Sequence, residues 1–263
     1  MNRFTSFLGS TALHDIWPGF QNYLYNYFRW SERIQTIADR AHAELKLRSQ
    51  PSSTDGEPYV AMHLRRGMLL VNISQLARLT SSFFLSFSGD FEGHCSILAQ
   101  KSNTGFTTWA TLPILQPSIF PPSLNIADRS SVIDHCYPSF ERILAVIDSQ
   151  LRAKPHLRTM HILHDGAWDH PLVYAQYYKI ERALMNAERA KSAGWEGGPM
   201  KRVTHSGMVP IKWGEADWAV SVDVELARRA EVFIGNGYSS LSTQVIALRL
   251  GADRGRVEDI TLF

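Results

Sequence analysis

The sequence predicts an α/β protein with a Rossmann-like parallel sheet covered by helices on both faces. Strand and helix signals alternate from about residue 56 to the C-terminus. An apolar strand opens into a cluster of arginines, and a late strand runs through a glycine turn into a helix. In chain order, residues 1–48 are aromatic-rich and then helical, with Ile34, Ile37, Ala38 and Ala41 on one face at three- and four-residue spacing. Residues 50–58 are loop by composition. Residues 59–64 read as a strand. Residues 139–152 read as an amphipathic helix with Phe140, Ile143, Leu144, Ile147 and Leu151 inward. Residues 159–163 are a strand, and 172–193 one long helix stopped by Gly194. A short strand is expected at 201–204, a helix at 216–229, a strand at 231–234 and a last helix at 239–250 ended by Gly251. The proline-rich stretch 113–122 reads as an irregular surface excursion, and no internal repeat is visible.

Composition limits the function classes. With 263 residues, 44% apolar and 11% aromatic, the chain is globular, with one large domain or one and a half. A formal net charge of +2 and dispersed Lys and Arg argue against nucleic acid or an anionic membrane as partner. Two cysteines, Cys95 and Cys136, permit one disulfide but equally two buried thiols. Each follows a histidine (His94 and His135), but the spacing fits no zinc finger or ribbon, so no metal is expected. The N-terminus lacks the apolar core of a signal peptide.

The first motif runs from Tyr59 through His63, Leu64, Arg65, Arg66 and Gly67, and resumes at Asp90, Phe91, Glu92, Gly93, His94 and Cys95. Joined, the halves read YVAMHLRRGDFEGHC. Paired guanidiniums at a strand end suit a phosphate or pyrophosphate; the bland alternative is a solvated strand end. The intervening residues 68–89, MLLVNISQLARLTSSFFLSFSG, read as translated intron. Gly67-Met68 can encode a GTATG donor, Leu79-Thr80 a branch-point CTAAC, residues 81–88 a pyrimidine tract, and Ser88-Gly89 an acceptor AG. The alternative is an ordinary apolar loop or edge strand. A transmembrane span is excluded by Asn72, Gln75 and Arg78.

The second motif, residues 231–243, places Gly235, Asn236 and Gly237 between a strand and a helix that opens with Ser239, Ser240, Leu241, Ser242 and Thr243. The glycines allow close backbone approach to a phosphate, and the serines can cap the helix and offer hydroxyls. No Walker A lysine follows. Gly235, Gly237 and Ser240 approach a dinucleotide fingerprint, but that needs a following strand and an acidic residue ~20 positions on, and no convincing strand is visible after Ser240. A nicotinamide-dependent oxidoreductase is therefore disfavoured. On this motif alone, a plain helix cap after a core strand would be preferred.

The two motifs together resemble the C-terminal half of the GDP-fucose protein O-fucosyltransferase family, in its fungal- and plant-like branch, over roughly residues 56–250. The resemblance implies a GT-B fold of two Rossmann-like domains, of which 56–263 would be the donor-nucleotide domain and 1–55 a helical and linker remnant of the other. It implies metal-free, cofactor-free transfer of fucose, with inversion, from GDP-fucose to a Ser or Thr hydroxyl of a protein or glycan acceptor in the secretory pathway. Arg65 matches the catalytic arginine that grips the pyrophosphate, with Arg66 and Asp90 in the same cluster. His63 matches the histidine beside the donor, Asp223 the aspartate associated with the base, and Ser239 and Ser240 the serines at the phosphate. Leu241 stands where many members have Phe. The glycine-rich N-terminal motif is absent, and the segment 68–89 splits the donor motif, so a truncated and impaired transferase is expected. The alternative is a non-catalytic nucleotide- or glycan-binding module.

Overall fold

The computed structural model describes residues 10–48, 56–65, 90–101, 105–121, 124–164 and 171–263. The helices are α1 (Ser10–Tyr27), α2 (Glu32–Leu45), α3 (Asp90–Gln100), α4 (Arg129–Cys136), α5 (Phe140–Ala153), α6 (Pro171–Met185), α7 (Ala187–Ser192), α8 (Ala219–Arg229) and α9 (Ser240–Leu250). The strands are β1 (Leu47–Arg48), β2 (Glu57–Leu64), β3 (Thr159–His164), β4 (Arg202–His205), β5 (Val232–Gly235) and β6 (Ile260–Leu262). All pair in parallel, in the order β4-β3-β2-β5-β6, with β1 against the start of β2. This is the α/β class read from the alternation.

Helices cover both faces because the central strands are apolar on both sides. Tyr59, Ala61, Leu163 and Phe233 meet Ile37, Ala41, Val222 and Val245 on one face. Val60, Met62, Met160, Ile162 and Ile234 meet Ile143, Ile147, Ile180 and Leu184 on the other. Helix α5 has the inward face its period predicts, and Ser139 caps it by accepting from the Arg142 amide at 3.1 Å. Residues 10–48, expected as part of a helical and linker remnant, pack α2 and Leu24 of α1 into the first of these clusters, and β1 joins the sheet.

Three local expectations change. The long helix 172–193 is two helices, because Asn186 leaves helical geometry and caps α7 through its side-chain oxygen, 2.8 Å from the Arg189 amide. Residues 113–121 lie largely at the surface, as expected, but are more ordered than an irregular excursion. Residues Pro113–Ser118 form a 3-10 helix with Leu115 buried, Ile119 bridges Leu262 in parallel, and the Phe120 amide donates to the Leu262 carbonyl at 2.8 Å. This segment covers the outer edge of β6. And β6 itself is a strand after the last helix, in register with β5 from Phe233↔Ile260 to Gly235↔Leu262. The segment 68–89 lies outside the described residues, as does Arg66.

Candidate functional site

Chain order reverses direction in the sheet between β2 and β5: from β2 the chain builds outward through β3 and β4, then returns to lay β5 and β6 on β2's other side. At such a switch point the connections leave the carboxyl ends of the two strands in opposite directions and open a crevice, the usual ligand site of open α/β sheets. The carboxyl end of β2 carries His63, Leu64 and Arg65, and that of β5 carries Gly235, Asn236 and Gly237. Topology thus brings together the two motifs picked out in the sequence.

A hydrogen-bond chain joins them. His63 is buried, and its Nδ1 lies 2.8 Å from Ser242 Oγ. The same hydroxyl accepts from the Asn236 amide at 2.9 Å. If the hydroxyl proton goes to Nδ1, the imidazole hydrogen sits on Nε2. Asn236 is clamped further: its side-chain amide donates to the Cys136 carbonyl at 2.6 Å and its Oδ1 accepts from the Tyr238 amide at 2.9 Å. Arg65 lies over the ring of Phe91, its guanidinium carbon 4.5 Å from the ring centre.

The helix opening differs in detail from expectation. Ser239 stands at the cap position of α9, but its hydroxyl makes no capping bond; it is 1% exposed and has no partner among the described residues. Ser240 is exposed, and Leu241 packs against the core. The buried hydroxyl that organises the turn is Ser242, which sequence reasoning did not single out. The glycines act through space rather than through backbone angle, since neither has a positive φ. A Cβ at Gly235 would sit 2.7 Å from the Phe233 ring, and one at Gly237 2.5 Å from Phe106. The room beside Gly237 is thus filled by Phe106 and not held open for a phosphate.

Asp223, on α8, is part-buried and accepts from Ser206 Oγ at 2.8 Å. Burial pushes its carboxyl up to about 7, against the pull of the Ser206 hydrogen bond. Ser206 follows β4, so Asp223 stands at the carboxyl end of β4, two strands or ~10 Å from β2. Between them His164, aligned with Leu64, places Nε2 3.2 Å from His205 Nδ1. His205 Nδ1 also accepts from the Gly207 amide, so His164 is the donor, and burial holds His205 below its ordinary pKa. Asp90 is the first residue of α3. No cluster of three metal-ligating side chains occurs among the described residues, and no described helix is long and apolar enough to cross a membrane.

A cavity of about 630 Å³ opens near the amino ends of β5 and β6, lined by Arg228, Arg229, Arg249 and Arg254. It is a poor anion site. Arg228 is paired with Glu225 and Asp253, Arg229 with Glu225 and Asp39, and the Arg249 guanidinium donates to backbone carbonyls. The strand β6 removes one objection to a dinucleotide reading, but the acidic Glu258 and Asp259 precede it, at the opposite end of the sheet from the glycine turn.

The fold and the crevice define a class first: an α/β, Rossmann-like half of the kind found in GT-B glycosyltransferases. The particular likeness is to POFUT1. Its crystal structure in complex with GDP matches at 16% identity and a TM-score of 0.50, covering 95% of this chain and 51% of that one. Its complex with GDP-fucose matches at 15% identity and a TM-score of 0.51, covering 95% and 49%. At this identity the likeness is one of fold, and the chain spans about half the length of the POFUT1 chains. No protein-family model and no curated protein sequence matches.

Proposed function

We propose that the chain is the donor-binding part of a glycosyltransferase-like protein that takes GDP-fucose and serves transfer of fucose to a Ser or Thr hydroxyl. One observation carries this reading: the carboxyl end of β2, which carries Arg65, is tied to the amino end of α9 at the switch point through His63, Ser242 and Asn236. Breaking the bond between sugar and phosphate leaves negative charge on the departing GDP. A fixed guanidinium and helix-end donors stabilise that charge more than they stabilise the bound donor, which lowers the barrier. The Ser239 hydroxyl, which has no partner among the described residues, offers a further donor to a phosphate oxygen.

The rest of the crevice supports guanine toward β4. Asp223 stands ~10 Å from β2, a distance a nucleotide laid across the strand ends would span. Its carboxylate can accept from two N–H groups on one edge of the base. The fold likeness to proteins crystallised with GDP and GDP-fucose supports the same choice of nucleotide. The Cys95–Cys136 disulfide suits an oxidising compartment such as the secretory lumen. Fungal- and plant-like membership, inversion and metal independence rest on the motif resemblance. Calorimetric titration of the chain with GDP, with and without EDTA, is the test: binding that survives EDTA supports the reading, and absence of binding removes it.

A further inference from the structure

The motif at Arg65 and the glycine turn are touched from outside by one small, separate core. Phe91, Cys95, Val132, Cys136 and Tyr238 form a cluster apart from the two that sandwich the sheet. Phe91 and Cys95 are four residues apart on α3 and so share a face. The disulfide from Cys95 to Cys136 joins that face to the end of α4. From α3, the Phe91 ring lies under the Arg65 guanidinium; from α4, the Cys136 carbonyl holds the Asn236 side chain at 2.6 Å. Tyr238 closes the circuit by packing into the cluster from the glycine turn. One contact steadies Arg65 and the other steadies the glycine turn through Asn236.

We propose that Phe91, Asn236 and the Cys95–Cys136 bridge form a positioning clamp that holds the Arg65 guanidinium in a fixed relation to the glycine turn and so readies it for a diphosphate. The proposal rests on the donor reading above for its purpose, though not for its geometry. An arginine side chain has many rotamers to lose on binding an anion, and an aromatic face beneath the guanidinium removes part of that freedom in advance. Phe91 follows residues 68–89 in sequence and Arg65 precedes them, so the clamp holds the two halves of the split motif together.

Two variants test it, Phe91→Leu and the double Cys95→Ala/Cys136→Ala, each read by calorimetry with GDP and GMP and by mass-spectrometric mapping of phenylglyoxal labelling at Arg65. A clamp predicts that Phe91→Leu weakens GDP about tenfold, the effect of one misplaced charged hydrogen bond, and GMP by no more than about twofold. Labelling at Arg65 should speed up in both variants. Loss of overall packing would instead weaken both nucleotides alike. Should the double variant fail to fold, Phe91→Leu alone decides. An unchanged ratio of GDP to GMP affinity together with wild-type labelling in Phe91→Leu overturns the clamp. If the wild-type chain binds neither nucleotide, the donor reading falls and the Arg65 labelling rate decides whether the clamp exists.

Discussion

His63 and Ser242 are 179 positions apart in sequence and meet through a hydrogen bond of 2.8 Å between Nδ1 and Oγ. The bond ties the carboxyl end of β2 to the first turn of α9, across the switch point of the sheet. Because the same hydroxyl accepts from the Asn236 amide, a single side chain sets the distance between the arginine motif and the glycine turn.

Ser242→Ala should therefore cost stability as well as ligand affinity. Both groups that use the hydroxyl are buried, and leaving a buried polar group without its partner costs ~1–3 kcal/mol. Urea denaturation should show a lower midpoint with an unchanged slope. A midpoint equal to wild type would mean that the bond is not formed in solution.

Arg65→Ala tests the charge itself. GDP affinity should drop by roughly 1.5–3 kcal/mol, the usual worth of a hydrogen bond to a charged group. The drop should shrink as salt rises, since Arg65 is only part-buried. Calorimetry giving the same affinity in the variant, or binding abolished by EDTA in the wild type, would count against the donor reading.

How far the sequence anticipated this arrangement depends on the length of each signal. Helix α5 was legible because its apolar residues recur at one helical period, and β2 and α9 because each carries an apolar stretch bounded by turn or loop signals. Strand β6 was not, since Ile260–Leu262 is too short to show a period and is defined by pairing with β5. The break at Asn186 was hidden because its neighbours are good helix formers, and only a capping bond reveals it. Ser239, Ser240 and Ser242 look alike in sequence; that Ser239 and Ser242 turn inward and Ser240 outward follows from the rotation of α9 against β5. The pairing of Cys95 with Cys136 stayed open for a similar reason, because two cysteines state no geometry until α3 and α4 are packed. Arg65 and the glycine turn were legible as chemistry, but their meeting was a matter of topology.

Asp223 gives a pH-dependent prediction. Its carboxyl is raised from 3.8 to about 7 by burial, so the folded state keeps a proton that the unfolded state has lost. Folding stability from this group accordingly falls as pH rises from about 4 through about 7 and is level above. Solvent access to the part-buried side chain trims the effect to something on the order of 2 kcal/mol. If the ionised carboxylate receives the base, GDP affinity should run the other way and rise about tenfold from pH 6 to pH 8. Asp223→Asn should flatten both profiles. A wild-type GDP affinity that does not change over that range would remove Asp223 from the base site.

The last prediction concerns residues 68–89, for which we propose an origin as translated intron. Arg65 and Phe91 are in contact at 4.5 Å although the segment lies between them. The ends of the split motif are therefore already close, and deleting residues 68–89 leaves only Arg66 and Gly67 to connect Arg65 with Asp90. Shortening the connection by three to four doublings of length lowers its closure cost by ~2 kcal/mol, provided two residues can close it without strain. For a domain of this size, that corresponds to a rise in melting temperature of roughly 4–8 °C. The shortened chain should melt at or above the parent's temperature and bind GDP at least as tightly, because both halves of the motif remain. Sequencing of transcripts across the Gly67 and Asp90 codons should recover the spliced form. A shortened chain that melts well below the parent would show that the segment belongs to the packed fold, and transcripts that all retain it would overturn the intron reading.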